Sequence, residues 1–122
     1  MSRIETASRI VLTLIKAFNQ HDIESMISLL STDCKYETNN PAPDGNRIIG
    51  KEGIRKYWNN ILNENPDIQV KIEEVMGFGL RCLLCWRYEW TESKGQILHL
   101  RGMDVYKIKE DKINEMLSYV KG

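Results

Sequence analysis

Few residues in this chain have the type and spacing to do chemistry, and Asp104 leads them. From Leu98 onward, alternate residues Leu98, Leu100, Gly102, Asp104, Tyr106 and Ile108 share one face of an expected strand, because strand side chains alternate sides. Asp104 therefore sits in the middle of a mostly apolar face. A carboxyl group removed from water is costly unless it is paired, hydrogen-bonded or protonated. Two explanations stand side by side. Asp104 is a structural acid satisfied by a neighbouring hydroxyl such as Tyr36, Tyr88 or Ser118, or it is a general acid lining a pocket. Desolvation raises the pKa of such a group and keeps it protonated near neutral pH, as a hydrogen-bond donor requires.

The other reactive types point elsewhere. His21 lies at a helix end, where capping or exposure accounts for it. His99 is expected to face away from Asp104, opposite Glu89 and beside Arg87 and Arg101, in a mixed-charge patch on the outer sheet face. Cys82 and Cys85 are three apart on a strand and so point to opposite faces; they cannot share a metal or form a redox pair. Cys34 reads as core. No His/Asp/Glu cluster has metal-ligand spacing and no glycine-rich phosphate loop occurs, so neither metal nor cofactor is expected. Lys plus Arg balance Asp plus Glu at 17 each, which leaves no electrostatic footprint for nucleic acid or an anionic membrane. No apolar run approaches the ~20 residues of a membrane span, no leader pattern opens the chain, and three cysteines make no disulfide framework. The expectation is a reduced, cytoplasmic protein.

The elements that must position Asp104 follow from periodicity. Ile4, Ala7, Ile10, Val11, Leu14, Ile15 and Phe18 form a helical stripe. Asp22 is the expected N-cap of a short second helix that buries Ile23, Met26, Ile27 and Leu30. A brief strand is expected at 34–38, then a turn-rich loop from Asn39 to Gly45, either a lid or a plain connection. A third helix spans roughly Lys51 to Asn63, with Ile54, Tyr57, Trp58, Ile61 and Leu62 inward, and stops at Asn65-Pro66. The rest reads as strands. Ile68, Val70 and Ile72 form the buried side of the first, Gly77-Phe78-Gly79 marks a turn or bulge, and longer strands cover 80–92, 96–109 and 113–120. Residues 1–122 thus form one α+β domain, three helices followed by an antiparallel sheet.

The turn Ser93-Lys94-Gly95, with Gly95 left-handed, fixes an expected register. Glu92 faces Gln96, Trp90 faces Leu98, Tyr88 faces Leu100, Trp86 faces Gly102 and Leu84 faces Asp104. Trp86 then covers the space left by Gly102.

Several motifs carry a family likeness: Phe18-Asn19-Gln20-His21-Asp22 closing the first helix, Asp33-Cys34-Lys35-Tyr36-Glu37 entering the first strand, and Gly50-Lys51-Glu52-Gly53-Ile54 opening the third helix. The ending runs from Arg101-Gly102-Met103-Asp104-Val105-Tyr106 through Ile113 to Ser118-Tyr119. In this order they resemble the nuclear transport factor 2-like superfamily, which includes ketosteroid isomerase and the SnoaL-like polyketide cyclases. The resemblance implies a cone-shaped curved antiparallel sheet wrapped by three N-terminal helices, and a homodimer through the outer sheet face. Ketosteroid isomerase joins a carboxylate base to a tyrosine and a protonated aspartic acid. The protonated acid matches Asp104, but the base position holds Thr38 and the tyrosine position Leu14. Neither can do that work, so ketosteroid isomerisation is not expected. The SnoaL-like cyclases depend on one acid, again matching Asp104. Arg87-Tyr88-Glu89 resembles the Arg-x-Asp pair of limonene epoxide hydrolase, but Ser118 stands where its final-strand aspartate belongs and Arg87 and Glu89 point outward.

If the helices cover the concave face, a pocket is lined by Leu14, Phe18, Tyr36, Thr38, Tyr57, Trp58, Leu84, Trp86, Tyr88, Trp90, Leu100, Asp104, Met116 and Ser118; the alternative is that these residues simply fill the core. The leading expectation is a cofactor-independent isomerase, cyclase or hydratase acting on a small apolar carbonyl compound. Asp104 is the catalytic acid, with Tyr36, Tyr88, Thr38 and Ser118 as auxiliary donors. The alternatives are a non-catalytic small-molecule-binding module and a dimeric adaptor without a ligand.

Overall fold

The computed structural model describes residues 3–121. Of residues 3–5 only the backbone is described, so the Ile4 side chain of the expected stripe lies outside the described residues. The elements in chain order are α1 (Arg3–Asn19), α2 (Ile23–Ser28), β1 (Leu30–Glu37), β2 (Arg47–Ile49), α3 (Lys51–Glu64), β3 (Gln69–Phe78), β4 (Arg81–Thr91), β5 (Ile97–Lys109) and β6 (Lys112–Val120).

Helical spacing decides what each helix buries. α1 turns Ala7, Val11, Leu14, Ile15 and Phe18 inward, and α3 buries Ile54, Trp58 and Leu62. Asp22 caps α2: its carboxylate accepts from the Ser25 amide at 3.2 Å and from the Ser25 hydroxyl at 2.6 Å. The end of α1 is fastened to the far edge of the sheet. Asn19 accepts from the Val70 amide at 2.7 Å and donates to the Val70 carbonyl at 2.9 Å, just as a neighbouring strand would. His21, left-handed at φ 55°, donates from Nε2 to the Ile68 carbonyl at 2.9 Å. The Phe18–Asp22 motif is thus a mechanical join, and His21 is engaged by backbone.

The strands lie in the order β2-β1-β6-β5-β4-β3 in one six-stranded sheet. It is mixed rather than wholly antiparallel, because β1 runs parallel to β6, with Tyr36 beside Met116. Alternation reports which face of a strand is wet and is silent about the direction of its neighbour; the long excursion through α3 and β3–β5 supplies the crossover that a parallel pair needs. Three further differences are local. β1 begins at Leu30, which is buried as a strand residue rather than a helical one; polar Ser31-Thr32-Asp33 conceals the strand's start. β2, three residues long, is too short to show a period. Ile72 is 41% exposed although it stands in register with Trp86; it is the last regular pair before a bulge between Ile72 and Glu74 on this edge strand. β3 continues to Phe78, and the turn sits at Gly79 (φ +61°).

The β4–β5 register is the expected one throughout, with Gly95 at φ +81° and Trp86 opposite Gly102. A Cβ on Gly102 would lie 2.5 Å from the Trp86 ring and 2.3 Å from the Tyr119 carbonyl oxygen, so the indole occupies the place a side chain would take. α1 packs across β3, β4 and β5, while α3 packs on β1 and β2. The opposite face carries Arg87, Glu89, His99 and Arg101. Glu89 pairs with Lys71 at 2.7 Å and Arg87 at 3.0 Å, and Arg101 pairs with Glu73 at 2.9 Å. As expected, Cys82 is turned inward and buried, and Cys85 is partly exposed three residues on.

Candidate functional site

Asp104 is delivered by β5 to the concave side, under α1, with only 7% of its surface exposed. Tyr106, two residues along the same face, donates from its hydroxyl to Asp104 Oδ2 at 2.8 Å. The other oxygen, Oδ1, is buried without a partner, and so is Trp86 Nε1. Burial raises the Asp104 pKa; Ser118, Trp86 and Tyr106 act in the opposite direction without overcoming it. Burial also holds the Tyr36, Tyr88 and Tyr106 phenols well above their usual range, and Tyr57 to a smaller degree, so all four hydroxyls stay protonated. The result is an acid that holds its proton more tightly than usual, set among neutral phenols.

The expected single pocket is divided in two. At the mouth of the cone lies a cavity of about 190 Å³ lined by Tyr36, Asn39, Asn40, Tyr57, Ile61, Asn65, Ile68, Tyr88, Trp90 and Leu100. Beneath it a void of about 20 Å³ is lined by Leu14, Ile15, Phe18, Met26, Tyr36, Trp58, Tyr88, Asp104, Tyr106 and Met116. Tyr36 and Tyr88 border both spaces. Their rings are held in place by aromatic neighbours: Tyr36 meets Tyr57 edge-on at 5.5 Å, and Tyr88 lies 5.6 Å from Phe18 and 4.4 Å from Trp86. These rings form the partition between the mouth and the acid.

Of the residues singled out from sequence, Tyr36, Tyr57, Tyr88, Trp90 and Leu100 thus reach the mouth, and Leu14, Phe18, Tyr36, Trp58, Tyr88 and Met116 surround Asp104. Four border neither space. Leu84 and Trp86 are core, packed into the sheet with 0% and 1% exposure. Thr38 spends its hydroxyl inside the 39–46 loop, donating to the Asn40 carbonyl at 2.8 Å and accepting from the Asn46 amide at 2.9 Å. Ser118 stands opposite Asp104 across β5 and β6 and accepts from Asn39 Nδ2 at 2.9 Å; it borders a separate cavity of about 210 Å³ with Glu37 and Asp44. Tyr106 as hydrogen-bond donor was the reading missed, although its place two residues from Asp104 on the same face was the available signal. Asn39, Asn40 and Asn65 gave no periodic signal, since loop and helix-end residues have none. Among the described residues no group of three or more His, Cys, Asp or Glu is placed to hold a metal ion, and no helix is long and apolar enough to cross a membrane.

The profile of the SnoaL-like domain matches residues 11–116. The chain belongs to the SnoaL-like family. Solved structures agree on the fold. The SnoaL-like chain superposes with a TM-score of 0.85 on a nuclear transport factor 2-like protein of unknown function from Mesorhizobium loti, at 29% identity, covering 100% of this chain and 96% of that one. It matches a candidate polyketide cyclase of Xanthomonas campestris pv. campestris with a TM-score of 0.81 at 18% identity, covering 98% and 93% of the two chains. A candidate ketosteroid isomerase of Kribbella flavida matches with a TM-score of 0.81 at 15% identity, covering 100% and 82%. No curated protein matches the chain.

Proposed function

We propose that this SnoaL-like protein is a cofactor-independent acid–base catalyst acting on a small, largely apolar carbonyl compound, with Asp104 as its acid. The observation that carries this reading is the Asp104 carboxyl itself: buried, its pKa raised by desolvation, accepting from Tyr106 on one oxygen and without a partner on the other. An acid in that state costs stability and is suited to receive a carbonyl oxygen. A substrate seated in the aromatic mouth reaches it once the Tyr36 and Tyr88 rings part. Asp104 then donates its proton to the carbonyl oxygen while the α-carbon loses a proton to water at the mouth, giving the enol; on collapse the α-carbon takes a proton back from solvent and the enol O–H proton returns to Asp104. Enolisation of this kind underlies isomerisation and aldol-type cyclisation alike. Tyr36 and Tyr88 are the auxiliary donors the cavities support.

The test uses a panel of small aryl ketones in D₂O. Deuterium entering the α-carbon, followed by NMR, is expected with wild type and lost in Asp104→Asn. Binding without exchange in both proteins removes the catalytic reading. It would leave a non-catalytic binding module, which one observation favours: the two tyrosine rings stand between the mouth and the acid. We also propose that the protein pairs with a second copy through the outer sheet face, where Met76, Leu83, Val105 and Leu117 fall directly opposite one another across β3 to β6.

A further inference from the structure

The loop after β1 has a connection to the buried acid that its position at the cone mouth does not require. Asn39 lies two residues past the end of β1 and lines the mouth cavity. β1 and β6 are paired up to Glu37 and Leu117, and just beyond that point the Asn39 side-chain amide donates to Ser118 Oγ on the neighbouring strand at 2.9 Å. Ser118 is 7% exposed and is the direct cross-strand partner of Asp104. Partners so placed bring their Cβ atoms to about 5 Å. Because the serine oxygen already accepts from Asn39, its own proton is free to rotate towards Asp104 Oδ1, which has no partner in the resting geometry.

We propose that Asn39 and Ser118 are positioning residues that relay a hydrogen bond from the mouth loop to the Asp104 carboxyl. The role assigned to the acid rests on the catalytic reading above; the relay itself is a property of the free protein. Donation by Asn39 polarises the serine O–H and makes it a better donor, since linked hydrogen bonds reinforce one another. The other titratable groups facing Asp104 are Tyr36 from β1, Tyr57 from α3, Tyr88 from β4 and Tyr106 from β5, all neutral. α1 and α2 present Leu14, Ile15, Phe18 and Met26, which do not titrate. No formal charge therefore masks a change in the serine's donation. A ligand that draws Asn39 to itself at the mouth would weaken the donor at the acid and favour its protonated, proton-donating form.

The test is the titration of the Asp104 carboxyl carbon by ¹³C NMR, with its signal assigned by loss in Asp104→Asn. Ser118→Ala and Asn39→Ala should each move the midpoint upward, and Ser118→Thr, which keeps a hydroxyl, should restore it. The double variant should titrate where Ser118→Ala does, because the amide acts only through the serine. A midpoint unmoved by Asn39→Ala, or moved equally with and without Ser118, overturns the relay. Asn39 is a half-buried loop residue whose removal leaves the core intact, so this arm does not depend on a fragile variant. Ketone exchange that survives a failed cycle removes the relay alone; an intact cycle without exchange removes the catalytic reading alone.

Discussion

Replacing Asp104 with Asn changes one oxygen to an amide nitrogen and leaves the shape nearly untouched, so its effect on stability isolates the ionisation of a single group. Tyr106 keeps an acceptor at its 2.8 Å contact, because the amide oxygen can take the place of Oδ2. Burial raises the Asp104 pKa in the folded protein, so between the unfolded value and that raised value the native state binds the extra proton. Stability contributed by this group is therefore full below about pH 4 and is lost as pH rises towards the folded pKa, at a slope of ~1.4 kcal/mol per pH unit. Asp22, Asp67 and Glu89 have lowered pKa values through bonds to Ser25, Thr91 and Lys71, respectively, and slope the other way, but they are common to both proteins and cancel in the difference. Below about pH 4 the two proteins should agree to ~1 kcal/mol, the net worth of a hydrogen bond. Above it, Asp104→Asn should become progressively the more stable until the folded pKa is passed. Urea unfolding at intervals from about pH 4 to about pH 7 measures this directly, provided the m-values match. A difference that is flat over that range, or that widens towards acid, would refute the claim that burial raises the Asp104 pKa at a cost to stability.

Other variants probe the frame around it. Gly102→Ala must displace the Trp86 ring or the Tyr119 carbonyl, which a Cβ would approach to 2.5 and 2.3 Å. Overpacking of this kind should cost about 1–3 kcal/mol, read from the urea midpoint. Asn19→Ala removes both bonds to Val70 and should speed hydrogen exchange of the Val70 amide well before it changes exchange in β5. Val105→Asp places a charge in the apolar row of the outer face. Sedimentation should find wild type dimeric and the variant monomeric; a monomeric wild type ends the pairing proposal.

Much of this architecture was legible because short-range rules determine it. The stripe of α1, the Asp22 cap and the Ser93-Lys94-Gly95 turn each involve residues close in sequence, and the turn alone carries the register that sets Leu84 against Asp104. What escaped depends on partners far away in sequence. Nothing in Leu30 to Glu37 says that its neighbour is β6 or that it runs parallel. The division of the cone into mouth and void depends on where the Tyr36 and Tyr88 rings settle, and side-chain packing of that kind has no period. Thr38 is a candidate donor in the sequence as a hydroxyl in the expected pocket lining, while in the structure that hydroxyl is drawn into the loop by Asn40 and Asn46, a local competition that no sequence pattern reports.

The parallel seam between β1 and β6 has a consequence for assembly during synthesis. β1 and β2 are made early, but among the described strands the one joining them to β3–β5 is the latest of the six in sequence. Until β6 leaves the ribosome, the sheet exists as two separate fragments, with Tyr36 and the mouth loop on one and Asp104 on the other. The site is therefore completed when β6 zips onto β1, joining Leu30 to Ile113 in a long-range closure of the sort that slows folding. A nascent chain stalled ahead of residue 112 should carry a helical half and a meander half but no enclosed acid.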